Sequence, residues 1–284
     1  MDKKFAIVGG SLRERIIAEE LRNNNFRISV YAMENMDDVT ADSLKNCLSG
    51  ASVLILPVVA NDPDGKINGT ILITESDLAT MKRDAVAFAG IASEKLRRVF
   101  SQANIPLREI MEDDAVAVPN ASLTAEGTLY SLMKRSKISV KEQYIGIFGW
   151  GRCGKACAKL FLALGSRVTV FCRDPKDLTE GRREGFDLRL YSGMAAVLPK
   201  VNVLINTVPA PIIDESVLVL LPREALLFDL ASVPGGVDAK KAAEMEREII
   251  SLPGLPGRYA PVSAGRILAN YYGTLFSGRG GEES

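Results

Sequence analysis

Histidine is absent from the 284 residues of this chain. That absence excludes the serine–histidine–aspartate triad, histidine-ligated metal sites and the commonest general base of enzymes. Any proton transfer must therefore use a carboxylate, lysine, tyrosine, cysteine, water or the substrate itself. The four cysteines are too few for a disulfide framework and lack the spacing of a zinc site, so we expect neither disulfides nor a metal.

Long apolar runs and an excess of charge of one sign are also missing. The longest apolar stretch, residues 51–60, is interrupted by Pro57 and is far too short to cross a bilayer. The 35 Lys and Arg residues balance 35 Asp and Glu residues, which provides no general attraction to nucleic acid or to an anionic membrane. No basic helix-turn-helix pattern is visible. We therefore expect a soluble, cytoplasmic protein that binds neither nucleic acid nor membrane.

Two series of short apolar runs alternate with amphipathic helical patterns, which is typical of parallel sheets covered by helices. The strands of the first series are predicted at residues 5–8, 26–31, 53–56 and 85–88. The strands of the second are predicted at residues 144–148, 168–172, 202–206, 226–230 and 249–252. The predicted fold class is therefore α/β, with two Rossmann-like, doubly wound parallel-sheet domains.

The segments around these two series suggest the domain organisation. Pro119 and Asn120 are expected to interrupt the chain, and a helix is predicted from about residue 122 to 135 with Asn120 or Ser122 as its cap. A closing helix at about 263–276 has an apolar face and must pack on another element. The expected parts are a substrate domain (1–120), a crossover helix and connector (121–143), a nucleotide-binding domain (144–258), the closing helix (259–276) and a disordered tail (277–284).

The clearest motif is Gly-x-Gly-x-x-Gly, formed by Gly149, Gly151 and Gly154 between a predicted strand and a predicted helix. In such a turn the first glycine allows the tight bend, the second lets a pyrophosphate approach the backbone, and the third lets helix and strand pack closely. The N–H groups of the helix N-terminus then bind the phosphates. The motif predicts a nicotinamide dinucleotide. The turn at 9–11 resembles half of it, but Arg13 stands where the third glycine belongs, so no second dinucleotide is expected there.

The end of the next strand distinguishes NADP from NAD. NAD sites usually carry an acid there for the ribose hydroxyls, whereas NADP sites carry a cation for the 2′-phosphate. The first polar residue is Arg173, with Lys176 close behind, which favours NADP; Asp174 could reach a ribose hydroxyl, so NAD stays possible. The predicted cofactor-binding residues are Gly149, Gly151, Arg152, Cys153, Gly154, Arg173, Asn206, Thr207, Val208, Pro209 and Ser232.

Several segments occur in an order that resembles the family of dipicolinate synthase A subunits from spore-forming Firmicutes. They are Leu-Pro-Val at 56–58, Asn-Ala-Ser-Leu-Thr-Ala-Glu-Gly at 120–127, the glycine motif, Ile-Asn-Thr-Val-Pro at 205–209, and the segments 229–238 and 252–265. The resemblance covers nearly the whole chain. It implies a two-domain architecture similar to that of formate/glycerate and alanine dehydrogenases, in which the final helix returns to the first domain.

The resemblance also implies an activity and a partner. The activity is oxidation of a dihydrodipicolinate-level intermediate of the lysine pathway to dipicolinate, in the mother cell during sporulation. The partner is the B subunit of dipicolinate synthase, a flavoprotein, and we also expect a homo-oligomer. Removal of a hydride and a proton makes the substrate ring aromatic, so a strong enzymic base is dispensable, in keeping with a chain that lacks histidine.

A cyclic dicarboxylate substrate requires cations or helix N-termini that bind its carboxylates. The candidate catalytic and substrate-binding residues are Asn120, Ser122, Thr124, Glu126, Arg258 and Ser263. Glu126 is the candidate for proton transfer, whereas helix capping is the structural alternative for the polar residues at 120–124 and a surface ion pair is the alternative for Arg258. Two other functions stay open: a non-catalytic NADP-binding subunit that supports the flavoprotein, and a 2-hydroxyacid or amino-acid dehydrogenase, whose usual histidine is missing.

Overall fold

The chain folds into two compact units, each built on one parallel sheet. The computed structural model describes residues 3–58, 62–232 and 235–277. One unit comprises Met1–Asn120 and Pro256–Ser284, and the other comprises Ala121–Leu255. The α/β fold class with two doubly wound sheets, predicted from the alternating runs, is confirmed. The predicted disordered tail lies outside the described residues from position 278 onward.

The sheet of the first unit has the strand order β2-β1-β3-β4-β5, and all its neighbouring strands are parallel. Its strands are β1 (Lys4–Val8), β2 (Arg27–Tyr31), β3 (Val53–Ile55), β4 (Val86–Ala89) and β5 (Leu107–Glu109). The central strands are continuous apolar runs because helices cover both faces of the sheet, and the residues at 5–8 and 53–55 are buried throughout.

The sheet of the second unit has the order β11-β10-β9-β6-β7-β8. Its strands are β6 (Tyr144–Phe148), β7 (Arg167–Cys172), β8 (Leu188–Leu190), β9 (Val203–Asn206), β10 (Leu226–Asp229) and β11 (Ile249–Ser251). The chain builds outward from β6 in one direction and then outward from β9 in the other. This is the strand order of dinucleotide-binding folds, whose ligands bind where the order reverses, here between β6 and β9.

Helices connect the strands in both units. They are α1 (Leu12–Asn23), α2 (Leu44–Leu48), α3 (Glu75–Leu78), α4 (Glu94–Gln102), α5 (Asp114–Arg135), α6 (Arg152–Ala163), α7 (Pro175–Arg183), α8 (Glu215–Leu218), α9 (Ala239–Glu244), α10 (Leu255–Tyr259) and α11 (Pro261–Phe276). The closing helix α11 packs against α1 within the first unit, which accounts for its apolar face. None of the described helices is long and apolar enough to cross a membrane.

Helix α5 corrects the expected break at Pro119. A single helix of 22 residues runs through this proline, and it begins after Asp113, whose carboxylate accepts a hydrogen bond from the N–H of Ala115 at 2.9 Å. The proline removes one backbone hydrogen bond. Helix continuity is nevertheless maintained because Val116 before it and Ala121 after it are both buried. Residues 120–124 therefore lie inside a helix and do not cap one.

Three short elements depart from the sequence-based assignment. The edge strands β5 and β8 have three residues each, too few for an alternating pattern to reveal. Helix α10 replaces the loop expected around Arg258. Its Pro256 stands in the first turn, where a missing N–H costs the helix nothing, and Gly254 before it has φ +66°, so that the two loop-forming residues set up a helix start.

Candidate nucleotide-binding site

A cavity of about 670 Å³ opens at the carboxyl ends of β6, β7 and β9 in the second unit. It lies at the point where the strand order reverses, the usual ligand site of such sheets. The predicted cofactor-binding residues that line it are Gly149, Gly151, Arg152, Cys153, Arg173, Thr207, Val208 and Pro209. Asp174, the residue that keeps NAD possible, also lines it, and the residues that line it without having been predicted are Trp150, Cys172, Asp177, Tyr191, Ala210 and Ile212.

The three glycines of the turn have different surroundings. A Cβ on Gly149, whose φ is +102°, would lie 2.5 Å from the Thr207 hydroxyl. A Cβ on Gly154 would lie 2.0 Å from the carbonyl oxygen of Gly149, inside the packed junction of turn and helix. A Cβ on Gly151, by contrast, would meet no atom within 4 Å. Two glycines are therefore required by the fold, and the third leaves open space at the cavity.

A hydrogen-bond network beneath the cavity links the ends of β6, β9 and β10. The Thr207 hydroxyl donates to the carbonyl of Phe148 at 2.8 Å. The fully buried Asn206 donates from Nδ2 to the Asp229 carboxylate at 2.9 Å and to the carbonyl of Val208 at 3.0 Å. Asn206 thus positions the loop that lines the cavity and does not itself line it.

Asp229 is a site residue that the sequence reasoning missed. Its carboxylate also accepts hydrogen bonds from the N–H groups of Ala231 and Gly236, each at 3.1 Å, and so connects two loops. The sequence does contain a signal for Asp229, because it is an acidic residue at the end of an apolar strand. Ser232, which was predicted to bind cofactor, is exposed and does not line the cavity, while its carbonyl accepts from the N–H of Gly235. Residues 233 and 234 of the same predicted segment lie outside the described residues.

The side chain of Arg173 is exposed at the end of β7 and forms no ion pair with any residue that the structure describes. Asp174 next to it caps α7 by accepting from the N–H of Lys176 at 2.8 Å. Tyr191, also missed, stacks its ring on Phe148 with centroids 5.4 Å apart. Burial raises the pKa of Tyr191, so its phenol is neutral and able to donate a hydrogen bond at physiological pH.

Thr124 and Cys153 are brought together within the second unit. The Thr124 hydroxyl hydrogen-bonds to the Cys153 thiol, and one turn further along both helices Thr128 lies next to the fully buried Cys157. Burial raises the pKa of both thiols, which keeps them protonated. These groups are packing contacts between α5 and α6. The described part of the chain holds no group of three acidic or cysteine side chains suited to a metal ion.

The other predicted catalytic residues are divided between the two units. Glu126 is exposed on α5, one turn beyond the exposed Ser122. Arg258 is exposed in α10, with its guanidinium carbon 5.8 Å from the Tyr259 ring, and Ser263 is exposed in the first turn of α11. Asn120, Arg258 and Ser263 belong to the first unit, whereas Thr124 and Glu126 belong to the second.

The residues around the cavity fit a dinucleotide. The N-terminus of the twelve-residue helix α6 follows the open space at Gly151, which is where a pyrophosphate would meet free N–H groups. The indole Nε1 of Trp150 is buried at the cavity without a hydrogen-bond partner among the described residues. A buried donor without a partner is costly, which is consistent with a ligand that completes the site.

Comparisons with known proteins agree with the fold. The NAD⁺-bound 3-phosphoglycerate dehydrogenase of Entamoeba histolytica superposes with a TM-score of 0.58 at 14% identity, covering 98% of this chain and 97% of that one. The dipicolinate synthase A subunit of Bacillus subtilis strain 168 is 28% identical over 284 residues, 96% of each chain. The crystal structure of the dipicolinate synthase A subunit from Bacillus halodurans superposes with a TM-score of 0.88 at 29% identity, covering 97% of this chain and 98% of that one.

The fold and the cavity define the class as a two-unit α/β protein whose fold is that of dehydrogenases such as alanine dehydrogenase and 3-phosphoglycerate dehydrogenase. Within that class, residues 4–111 match the family model for the N-terminal domain of the dipicolinate synthase A subunit. Over nearly its whole length the chain is similar to dipicolinate synthase A subunits, as the order of its motifs predicted.

Proposed function

We propose that the chain binds NADP in the cavity of the second unit and oxidises a dihydrodipicolinate-level intermediate to dipicolinate, as the A subunit that acts with a flavoprotein B subunit. The observation that carries the proposal is the glycine turn, whose Gly151 leaves open space at a cavity that also contains the uncommitted guanidinium of Arg173. The names of the relatives support the product and the existence of a second subunit. We further propose a cytoplasmic location in the mother cell and a homo-oligomer.

Each part of the cavity would hold one part of the cofactor. The N–H groups at the start of α6 would bind the pyrophosphate, the loop of Thr207, Val208 and Pro209 would contact the dinucleotide, and Arg173 would bind the 2′-phosphate. When bound, the nicotinamide supplies an acceptor for the substrate's hydride. Asn206 and Asp229 hold the loops in place from below.

The substrate side of the proposal names candidate residues in each unit. Arg258, Asn120 and Ser263 are the candidates for binding the dicarboxylate, and the exposed Glu126 is the candidate proton acceptor. Thr124 is the least free of these, since its hydroxyl is shared with Cys153. The absence of histidine from the chain argues against the alternative of a 2-hydroxyacid or amino-acid dehydrogenase that uses a histidine base.

Replacing Arg173 by serine is expected to weaken NADP binding by about 10- to 100-fold, because a charge-assisted contact to the 2′-phosphate is lost. The affinity for NAD, which lacks that phosphate, should stay within about threefold. Both affinities can be measured from the fluorescence of Trp150, because this buried cavity residue is the only tryptophan in the chain. Energy transfer from the indole to NADPH gives a second signal.

Arg183→Ser is the matched control, since Arg183 lies in the last turn of α7 and does not line the cavity. It should leave both affinities unchanged. Equal losses for NADP and NAD in the Arg173 variant would contradict the proposal of NADP. Asp174→Asn tests the alternative directly, because a chain that uses NAD would lose NAD affinity on this change.

Turnover by the purified chain tests whether this protein is itself catalytic. With NADP and freshly prepared dihydrodipicolinate, we expect NADPH absorbance and dipicolinate to appear together, in equal amounts. The assay is run with and without the flavoprotein partner. Cofactor binding without turnover in the absence of the partner, and turnover in its presence, would favour the alternative of a supporting NADP-binding subunit.

A further inference from the structure

The turn between β1 and α1 in the first unit holds an unusual pair of buried charges. Gly9 and Gly10 have φ of +70° and +113°, and α1 begins directly after Ser11. The next two charged residues, Arg13 and Glu14, are only 5% and 1% exposed. Charged side chains are almost never buried to this degree unless every polar atom is used, so the partners of each group are informative.

The Glu14 carboxylate is fully committed to the protein. One oxygen accepts from the N–H of Ser11 at 2.8 Å and from its hydroxyl at 3.0 Å. The other accepts from Nε of Arg13 at 3.0 Å and from the N–H of Val58 at 3.4 Å. The carboxylate thus takes donors at the helix N-terminus that a phosphate would need. This arrangement is consistent with the expectation that no second dinucleotide binds at this turn.

The Arg13 guanidinium is only partly committed. Its Nε donates to Glu14, but Nη1 and Nη2 have no hydrogen-bond partner within the described ranges of the chain. A guanidinium carries five N–H donors, and four of them belong to these two nitrogens. Because Glu14 contacts Nε from the side, it fixes the orientation of the guanidinium plane while leaving the outer edge available.

Helix α10 packs closely on this guanidinium. A Cβ on Gly257 would lie 3.3 Å from Nη1, 3.4 Å from Cζ and 3.8 Å from Nη2, so any side chain larger than hydrogen at this position would crowd the guanidinium. The charges of Arg13 and Glu14 also act on Tyr272 of α11, whose fully buried hydroxyl has no partner in the part of the chain that the structure describes. The Tyr272 hydroxyl is thus a buried donor that lacks an acceptor, which is costly in the absence of a ligand.

We infer that Arg13 binds a carboxylate of the substrate through Nη1 and Nη2, and that Glu14 is the positioning residue for its guanidinium. The inference rests on the proposed function, because that function supplies a dicarboxylate. A planar carboxylate matches the two parallel N–H donors of a guanidinium edge, and the N-terminus of α1 adds favourable positive potential. An anion held by a buried, pre-oriented arginine is bound more strongly than one held by an exposed, mobile arginine.

The test is binding of pyridine-2,6-dicarboxylate to the NADP-loaded chain, measured by calorimetry. Arg13→Lys keeps the charge but loses the paired donors, so the dissociation constant should rise at least about tenfold. The affinity for NADP, read from Trp150, should stay within about twofold. Arg22→Lys is the control, because Arg22 lies at the other end of α1 in an exposed ion pair with Asp38; it should change neither constant.

A second variant covers the case in which Arg13→Lys does not fold. Gly257→Ala is compatible with the fold, because its φ is not positive and its nearest neighbour is the end of a side chain, yet it narrows the space at Nη1. It should weaken the dicarboxylate about fivefold or more without affecting NADP. If Arg13→Lys folds and binds the dicarboxylate as tightly as the wild type does, the role of Arg13 is overturned while the proposed function stands. If Arg13→Lys does not fold, wild-type binding by Gly257→Ala has the same meaning. A wild-type chain that binds NADP but no pyridine dicarboxylate overturns the proposed substrate and the role of Arg13 together.

Discussion

Replacing Gly154 by alanine is expected to destabilise the second unit by about 3 kcal/mol or more. The added methyl group would lie 2.0 Å from the carbonyl oxygen of Gly149 and 3.0 Å from its carbonyl carbon. Neither atom can move away alone, because the N–H of Gly149 is bonded to the carbonyl of Phe171 at 2.9 Å and its own φ is +102°. The turn or the start of α6 must therefore shift.

Urea unfolding followed by Trp150 fluorescence measures this loss, since that residue adjoins the turn. Gly273→Ala is the control: it is also a glycine inside a helix, α11, but a Cβ there would meet no atom within 4 Å. Its stability should stay the same or rise by about 0.5–1 kcal/mol, because alanine is the better helix former. A Gly154→Ala variant as stable as the wild type would show that the junction of turn and helix is less tightly packed than described.

Replacing Gly151 by alanine is expected to have effects opposite to those of Gly154→Ala: a large loss of cofactor affinity and little loss of stability. The methyl group meets no protein atom within 4 Å, and the backbone of Gly151 has φ −79° and ψ −172°, which alanine adopts readily. The unfolding free energy should therefore change by less than about 1 kcal/mol. A pyrophosphate, however, would have to approach this backbone closely, so NADP affinity should fall at least about tenfold.

The same fluorescence titration measures the cofactor affinity of this variant. Because NAD carries the same pyrophosphate, its affinity should fall in parallel, in contrast to the Arg173 variant, in which only NADP is affected. Unaltered binding of both dinucleotides would mean that the cofactor does not lie over the glycine turn. The pair of glycine variants thus separates the requirement of the fold from the requirement of the ligand.

The glycine motif illustrates how far the sequence could predict the site. Its spacing after an apolar strand identified the turn, and the polar residues after the neighbouring strands indicated the loops that complete the cavity. The spacing could not distinguish a residue that lines the cavity from one that supports it. Asn206 and Asp229 lie beneath the loops and Ser232 does not line the cavity, although all three lie at or just after the carboxyl ends of neighbouring strands.

Pro119 and Arg13 are two residues whose structural roles the sequence could not predict. Local rules predicted a helix break at Pro119, because proline removes a backbone donor; burial on both sides of it outweighs that cost, and burial is a property of the folded chain. The sequence shows Arg13 only as the residue that stands in place of a third glycine. Its close contact with Gly257 depends on α10, more than 240 residues away in sequence.

The sequence by itself determined the α/β class, the nucleotide turn and the likeness to dipicolinate synthase A subunits, because strand alternation, glycine spacing and ordered motifs are encoded locally. It also excluded histidine chemistry outright. Only the tertiary structure decided which side chains share a site, since that depends on the order of strands in each sheet and on packing between distant elements. The bond from Asn206 to Asp229 beneath the cavity and the close packing of Gly257 on Arg13 both arise in this way, from residues that no local pattern relates to one another.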